Sequence, residues 1–271
     1  MKDIKFSIII VSLNAGGDLE RTVESVLNQD YSGYEIIVKD GLSSDGSTQR
    51  LPVNNRISIY YEKDLGIYDA MNQAIQYVGG EYVIFLNCGD TFYSETTLSD
   101  TAREISKNIG AKIYYGDNFT GNRNVILQAP RKMTNYICFT KILCHQSTFY
   151  EKNFLQKRLF DTKYKIAADA HFYISAFKLK NFNLKYIPVV VSYYQGGGFS
   201  ETISNKKRGL LEHKQILKEV FSRKEYFLSR LLQMIMLYPI KQWLSTQLWF
   251  EKPYNRIANI VYTLKNQYSI R

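Results

Sequence analysis

FLNCGD, Phe85 to Asp90, sets a polar turn ending in an acid directly after the apolar, strand-like run Tyr82 to Leu86. Ligands of open α/β sheets collect at the carboxyl ends of strands, so an acid at such an end is a candidate for binding chemistry. Two earlier stretches have the same form. FSIIIVSLN (Phe6 to Asn14) runs into Gly16-Gly17 and a helical pattern, and YEIIVKDGLSSDGS (Tyr34 to Ser47) ends in Asp40 and Asp45 set among Gly and Ser. Three strand ends with polar tips point to one shared cleft.

Between these stretches the hydrophobic period changes. Leu19, Val23, Val26 and Leu27 recur at helical spacing over Asp18 to Asn28, with Asp18 placed to cap the start. A third apolar run covers Ile57 to Tyr61. Ile67, Ala70, Met71, Ala74, Ile75 and Val78 then share one helical face, stopped by Gly79-Gly80. Strand, helix, strand, turn, strand, helix, strand is the order of a mainly parallel sheet. Further on, Lys112 to Gly116 reads as a strand, Ala167 to Leu179 as a helix, and Leu184 to Tyr194 as a strand that Pro188 makes an edge or irregular. Composition shifts after Gly196-Gly197-Gly198. Asn205 to Val220 is polar and basic, and Tyr226 to Leu237 returns to helical spacing, which puts a boundary near Ser204.

At 271 residues with 45% hydrophobic content, the chain buries a full core as one large domain or a domain plus an extension. Cys88, Cys138 and Cys144 lack the spacing of a zinc site or a disulfide framework, which favours a reducing compartment. The apolar run at the start is short, has no small-residue cleavage site and leads into a polar turn, so no secretory signal is expected. No run approaches the roughly 20 apolar residues that span a bilayer. The net charge of +10 calls for an anionic partner: a membrane surface, nucleic acid or a phosphorylated substrate. Nucleic acid is disfavoured, because no helix-turn-helix, zinc-finger or stacking platform accompanies the charge.

The ordered set SIIIVSLN, KDGLSSDGST, EKDLGIYDAMNQAI and FLNCGD resembles the family 2 glycosyltransferases over roughly the first three-quarters of the chain. The resemblance implies an α/β GT-A fold, a mainly parallel sheet flanked by helices, in residues 1–204, followed by a helical C-terminal extension in residues 205–271. It also implies inverting transfer of a sugar from a UDP-sugar or GDP-sugar to an acceptor hydroxyl, in bacterial cell-surface polysaccharide biosynthesis. Mg²⁺ or Mn²⁺ is the implied cofactor. The implied partners are the donor, a glycan or lipid-linked acceptor and an anionic membrane surface, with a homo-oligomer left open. The expected location is the cytoplasm or the inner face of the cell membrane.

In that family the acid at the end of the second strand bonds the nucleotide base or ribose, and Asp40 is the matching residue. Read alone, Asp40 and Asp45 equally well shape a Gly/Ser turn. Lys39 stands where many members carry a further acid. Asp64, Gly66 and Asp69 would line the donor site at a helix start, with Tyr68 and Asn72 behind them; the same residues also suit a plain helix-start turn. Where members show Asp-x-Asp-Asp, this chain has Asn87, Cys88, Gly89 and Asp90. Asp90 is thus the one carboxylate for a metal ion and the donor diphosphate, with Asn87 beside it, and Cys88 suits packing. An acid at the start of a later helix acts as base in the family, and Asp169 in KIAADAHF takes that place, with Asp161 as its rival. Without the resemblance Asp169 is a first-turn helix acid. His145 in CHQSTFY belongs to the cleft with no assigned role.

Gly196 to Gly198 serves either as a lid approaching the diphosphate or as a linker. Trp243, Trp249, Phe250 and Tyr254 stand among Arg230, Lys241, Lys252 and Arg256, with breaks at Pro239 and Pro253. That composition suits an interfacial helix on an anionic bilayer, or a bundle packed on the core. Two rival functions stay open: a sugar nucleotidyltransferase, for which SLNAGGDLER is a poor signature, and a catalytically silent nucleotide-binding or membrane-attached scaffold.

Overall fold

A computed structural model describes residues 4–180, 182–198 and 201–235. Phe6–Ser12 (β1) lies between Tyr34–Asp40 (β2) and Tyr82–Asn87 (β4), with Ile57–Tyr61 (β3) beyond β2, and all four run parallel. Alternate residues of β1, β2 and β4 are buried on opposite faces. Ile9, Ile37, Val83 and Phe85 pack under Ile67–Ile75 (α2) and Ala168–Phe177 (α6), whereas Ile8, Ile10, Ile36, Val38, Ile84 and Leu86 pack under Gly17–Leu27 (α1) and Thr97–Lys107 (α3). Burial on both faces explains why the strands read as near-continuous apolar runs.

The sheet continues past β4 through Thr148–Glu151 (β8), Ile113–Thr120 (β6), Leu184–Tyr194 (β9) and the short Thr91–Phe92 (β5), with Val125–Leu127 (β7) paired to β6. β5, β7 and β8 run against the other strands, so the sheet is mainly parallel with a mixed second half. Asn135–Thr140 (α4) and Lys152–Gln156 (α5) complete the layer that α2 and α6 form.

Several boundaries differ from the sequence reading. Asp18 does not cap α1: Gly16, which has no side chain to accept a capping bond, holds the cap position and gives its N–H to Asp45 Oδ2 at 2.7 Å. Asp18 lies instead in the first turn, 3.1 Å from Arg21. α2 ends at Ile75, yet Val78 is buried after it, so the apolar spacing outlasts the helix. Pro188 is accommodated as an irregularity. Tyr115 pairs with Tyr186 and Asp117 with Val190, so Gly116 alone faces the three residues 187–189 in a bulge.

Ile203–Val220 (α7) and Arg223–Ile235 (α8) follow β9. Ile216, Leu217 and Phe221 join the core under α2 and α6. In α8 the expected apolar face points outward: Phe227 is 70% and Leu228 57% exposed, while Gln233, 1% exposed, reaches the Phe139 carbonyl at 2.7 Å. Trp243, Trp249, Phe250, Tyr254 and their basic neighbours lie outside the described residues.

Gly116 is where the bulge is most tightly constrained. A Cβ there would sit 2.4 Å from the Val189 carbonyl oxygen and 2.8 Å from Val191 Cγ2. Gly116→Ala is expected to cost about 1–3 kcal/mol, the range for overpacking a well-packed site, measured by urea unfolding. A loss below about 0.5 kcal/mol, the scale of a neutral surface change, would show that the strands separate freely at this point.

Candidate active site

The parallel register brings the strand ends together. Ser12 lies opposite Asp40 and Val11 opposite Asn87, so the loops after β1, β2 and β4 leave the same edge of the sheet. A cleft of about 910 Å³ opens there. Asn87 and Asp90 line it from the β4 end, His145 and Asp169 from the other half of the sheet, and Gly196–Gly198 close one rim.

Asp90 is 5% exposed, and neutral donors hold both its oxygens: Gln146 Nε2 at 2.8 Å and the Gln195 N–H at 3.3 Å. Burial pushes its carboxyl up to about 6, against the opposing pull of Gln146, the Gln195 amide and Arg21. The turn below is tied to α1, since the Thr22 hydroxyl donates to the Asp90 carbonyl at 2.9 Å and accepts from the Gly89 N–H at 2.9 Å. Asn87 Oδ1 is buried and has no hydrogen-bond partner. One carboxylate and one uncommitted amide oxygen are hard donors suited to Mg²⁺ or Mn²⁺ when diphosphate oxygens complete the shell. Among the described residues no group of three or more His, Cys, Asp or Glu gathers to hold a metal without that help.

Asp169, in the first turn of α6, is buried at the opposite side of the cleft. The Tyr68 hydroxyl donates to its Oδ1 at 2.9 Å and to the Ile166 carbonyl at 2.8 Å. No described residue bonds its other oxygen. His145 stacks on Phe85 with ring centroids 5.0 Å apart and shares a 3.1 Å hydrogen bond between Nδ1 and the Tyr150 hydroxyl. Its buried Nε2 has no partner. Burial lowers the tendency of His145 to protonate, and the nearby Asp169 charge only partly opposes this. The rival acid, Asp161, binds Lys163 at 3.2 Å and does not line the cleft.

The remaining candidates stand behind the cleft wall and shape its loops. Asp40 is fully buried and accepts from the Ser43 N–H at 2.7 Å and the Ser43 hydroxyl at 2.6 Å; Ser43 in turn accepts from the Asn14 N–H at 2.8 Å. Asp40 therefore links the loops after β1 and β2. Asp64 Oδ2 lies 3.3 Å from the ammonium of Lys39, itself fully buried, and Asp64 Oδ1 accepts the Gly66 N–H at 3.1 Å. Asp69 accepts the Leu65 N–H at 2.8 Å. These bonds build the turn into α2, whose Ile67, Tyr68 and Met71 reach the cleft. Asn72 makes reciprocal 2.8 Å bonds with the Phe160 backbone.

Two polar residues were not singled out from sequence. Gln146 follows His145 in the quoted HQS segment, and the amide beside a cleft histidine was the available signal. Glu212 had none for its loop role, because apart from Arg208 its partners are backbone amides at residues 165–167.

The description "Glycosyl transferase family 2" matches residues 7–182. Over 209 residues the chain is 30% identical to "PGL/p-HBAD biosynthesis glycosyltransferase" of Mycobacterium bovis (strain BCG / Pasteur 1173P2), a match covering 74% of this chain and 81% of the relative. It is 30% identical over 140 residues to "UDP-Glc:alpha-D-GlcNAc-diphosphoundecaprenol beta-1,3-glucosyltransferase WfgD" of Escherichia coli, covering 49% of this chain and 54% of that protein. The fold is similar to that of mannosyltransferase PcManGT from Pyrobaculum calidifontis, solved with GDP-Man and Mn²⁺, with a TM-score of 0.63 at 15% identity over 99% of this chain and 88% of that one. The fold and cleft are those of a GT-A nucleotide-sugar glycosyltransferase. The chain belongs to glycosyl transferase family 2. Neither the nucleotidyltransferase nor the silent scaffold is favoured by these similarities.

Asp90 also makes stability depend on pH. Its carboxyl is raised from 3.8 to about 6, so the folded protein keeps this proton to higher pH than the unfolded chain, and stability is lost as pH rises through that window. At roughly 1.4 kcal/mol per unit, the ligand-free Asp90→Asn variant should gain up to about 3 kcal/mol relative to wild type between about pH 4 and pH 6, then level off. Urea unfolding across that range reads the difference. A difference that does not change with pH would show that Asp90 is solvated.

Proposed function

We propose that the chain transfers a sugar, with inversion, from a UDP-sugar or GDP-sugar to a hydroxyl of a glycan or lipid-linked acceptor in bacterial cell-surface polysaccharide assembly. The observation that carries this reading is the division of one cleft between two buried acids, Asp90 at the β4 strand end and Asp169 at the α6 start. Asp90 and Asn87 would hold a divalent ion and with it the donor diphosphate. When bound, that ion supplies positive charge to the leaving diphosphate, so the leaving group needs no general acid. Asp169, with one oxygen fixed by Tyr68 and the other uncommitted, takes the proton of the attacking hydroxyl. Asp40, Asp64, Gly66 and Asp69 contribute to donor binding through the loops they hold at the ends of β2 and β3. The UDP and diphosphoundecaprenol in the name of the E. coli relative, and the GDP-Man and Mn²⁺ of the archaeal structure, support this choice of ligands.

The extension after Ser204 has its place in this scheme at an anionic membrane where a lipid-linked acceptor resides. Phe227, Leu228 and Leu211 are exposed beside Lys207, Lys214 and Arg223, a pairing of apolar and basic residues suited to an interface. The proposed attachment is peripheral; among the described residues no helix is long and apolar enough to cross a membrane. The proposed location is the cytoplasmic face of the membrane, where nucleotide sugars are available.

Asp169→Asn should keep the fold and the affinity for the nucleoside diphosphate with Mn²⁺, measured by calorimetry, while transfer to an undecaprenyl-diphosphate-linked sugar falls by about 100-fold or more. An amide fills the same space without accepting the proton. Near wild-type transfer by this variant, with loss in Asp161→Asn, would move the base to Asp161. For the membrane role, sedimentation with anionic vesicles at low salt should retain the full chain, and Phe227→Ser with Leu228→Ser should release it. Each basic residue near the surface adds about 1 kcal/mol of attraction, so binding should also weaken with salt. Equal retention on neutral vesicles, or none on either type, rules the membrane role out.

A further inference from the structure

α7 begins twenty-one residues beyond the matched family region, which ends at residue 182, yet it holds the backbone that leads into Asp169. The Glu212 carboxylate is 8% exposed and accepts three consecutive backbone N–H groups: Lys165 at 3.0 Å on Oε1, and Ile166 at 2.9 Å and Ala167 at 3.0 Å on Oε2. Arg208 Nε adds a fourth bond to Oε1 at 2.8 Å. These amides lie immediately before α6, outside its own hydrogen-bond ladder. The acceptor comes instead from a helix far along the chain. Burial alone would raise the Glu212 carboxyl, but the donors at Lys165, Ile166, Arg208 and Ala167 outweigh it and keep the carboxyl below its ordinary range.

One turn earlier on the same face of α7 stands Gly209. A Cβ there would lie 3.0 Å from Ile166 Cγ2, tighter than ordinary packing. Thus α7 approaches residues 165–167 closely at two points, by steric fit at Gly209 and by charge-assisted bonds at Glu212. The carbonyl of Ile166 and the carboxylate of Asp169 in turn share the single hydroxyl hydrogen of Tyr68. Any movement of the Ile166 carbonyl changes how that hydrogen is divided, and so how firmly Asp169 Oδ1 is held.

We propose that Glu212, with Gly209 providing the close approach, is a positioning residue for Asp169, so that α7 is part of the catalytic apparatus. This rests on the reading of Asp169 as the base. Glu212 fixes three N–H groups of the loop, the loop fixes the Ile166 carbonyl, and the carbonyl sets the Tyr68 bond to Asp169. The uncommitted carboxylate oxygen is thereby kept at one orientation toward the acceptor hydroxyl. Misplacement of such a group by about 1 Å costs about 100-fold in rate.

The test uses the full chain with whichever of UDP-glucose, UDP-N-acetylglucosamine and GDP-mannose the wild type turns over, reading release of the nucleoside diphosphate. Glu212→Gln places an NH₂ against backbone donors, and kcat should fall about 10- to 100-fold while donor KM and the Kd for UDP or GDP change less than about twofold. Glu212→Asp retains the charge and should recover part of the loss. In an Asp169→Asn background, Glu212→Gln should add little, since both act through one carboxylate. Gly209→Ala displaces Ile166 while replacing Gly with a better helix former, so kcat should fall several-fold with Tm preserved.

A lowered Tm with wild-type kcat in Glu212→Gln would reduce Glu212 to a structural cap and overturn the proposal. Should Glu212→Gln fail to fold, Gly209→Ala decides alone, and kcat within twofold of wild type overturns it. The reading of Asp169 as base fails separately, if Asp169→Asn itself turns over near the wild-type rate.

Discussion

The site depends on the parallel register of β1 with its two neighbours. A central strand buried on both faces has its backbone groups satisfied only along the ladder, so the polar groups at the carboxyl ends must emerge together where the ladder stops. Ser12, Asp40 and Asn87 share that limit. A one-residue slip of β4 would turn Phe85 out of the core it shares with His145 and Phe160 and withdraw Asp90 from the cleft. The hydrophobic pattern that makes the sheet thus also sets the position of the acid.

The two cleft carboxylates receive different treatment from the fold. Asp90 is surrounded by neutral donors and desolvated, which raises its carboxyl to about 6 and leaves it in need of positive charge. In the proposed function, a cation arriving with the donor diphosphate would supply that charge, so metal and nucleotide would bind together. Asp169 is held from one side by a tyrosine and from behind by a loop that Glu212 clamps. The proposed roles follow this difference, one acid holding charge and the other taking a proton.

The strands and the cleft were legible because both rest on local patterns. β3 and β9 fall on the residues their apolar runs indicate, and FLNCGD ends β4 as its polar turn suggests. Pro188 announced an irregularity that proved to be the bulge opposite Gly116. What escaped was set by partners distant in the chain. Asp18 matches a cap in sequence, but Asp45, from the next loop, takes the amide at the cap position. Lys39 stands where many family members carry an acid; at the end of β2 it is a buried ammonium paired with Asp64 from the loop before α2. The apolar spacing of α8 indicated a packed face, yet Ser229 and Gln233 pack instead, because the Phe139 carbonyl at the end of α4 needs a donor there. The loop role of Glu212 was unreadable for the same reason: beside the i,i+4 partner Arg208, its acceptors serve backbone amides of a loop that no side-chain pattern marks.

In the proposed function one cleft holds the donor diphosphate at Asn87 and Asp90 and presents the opposite face of the sugar to Asp169. A crystal structure of the full chain with a non-hydrolysable UDP-sugar or GDP-sugar and Mn²⁺ tests it most directly. The expected result is the ion and diphosphate beside Asp90 and Asn87, with the Asp169 carboxylate on the side of the anomeric carbon away from the diphosphate. A diphosphate bound elsewhere, or Asp169 on the same side as the leaving group, would contradict it.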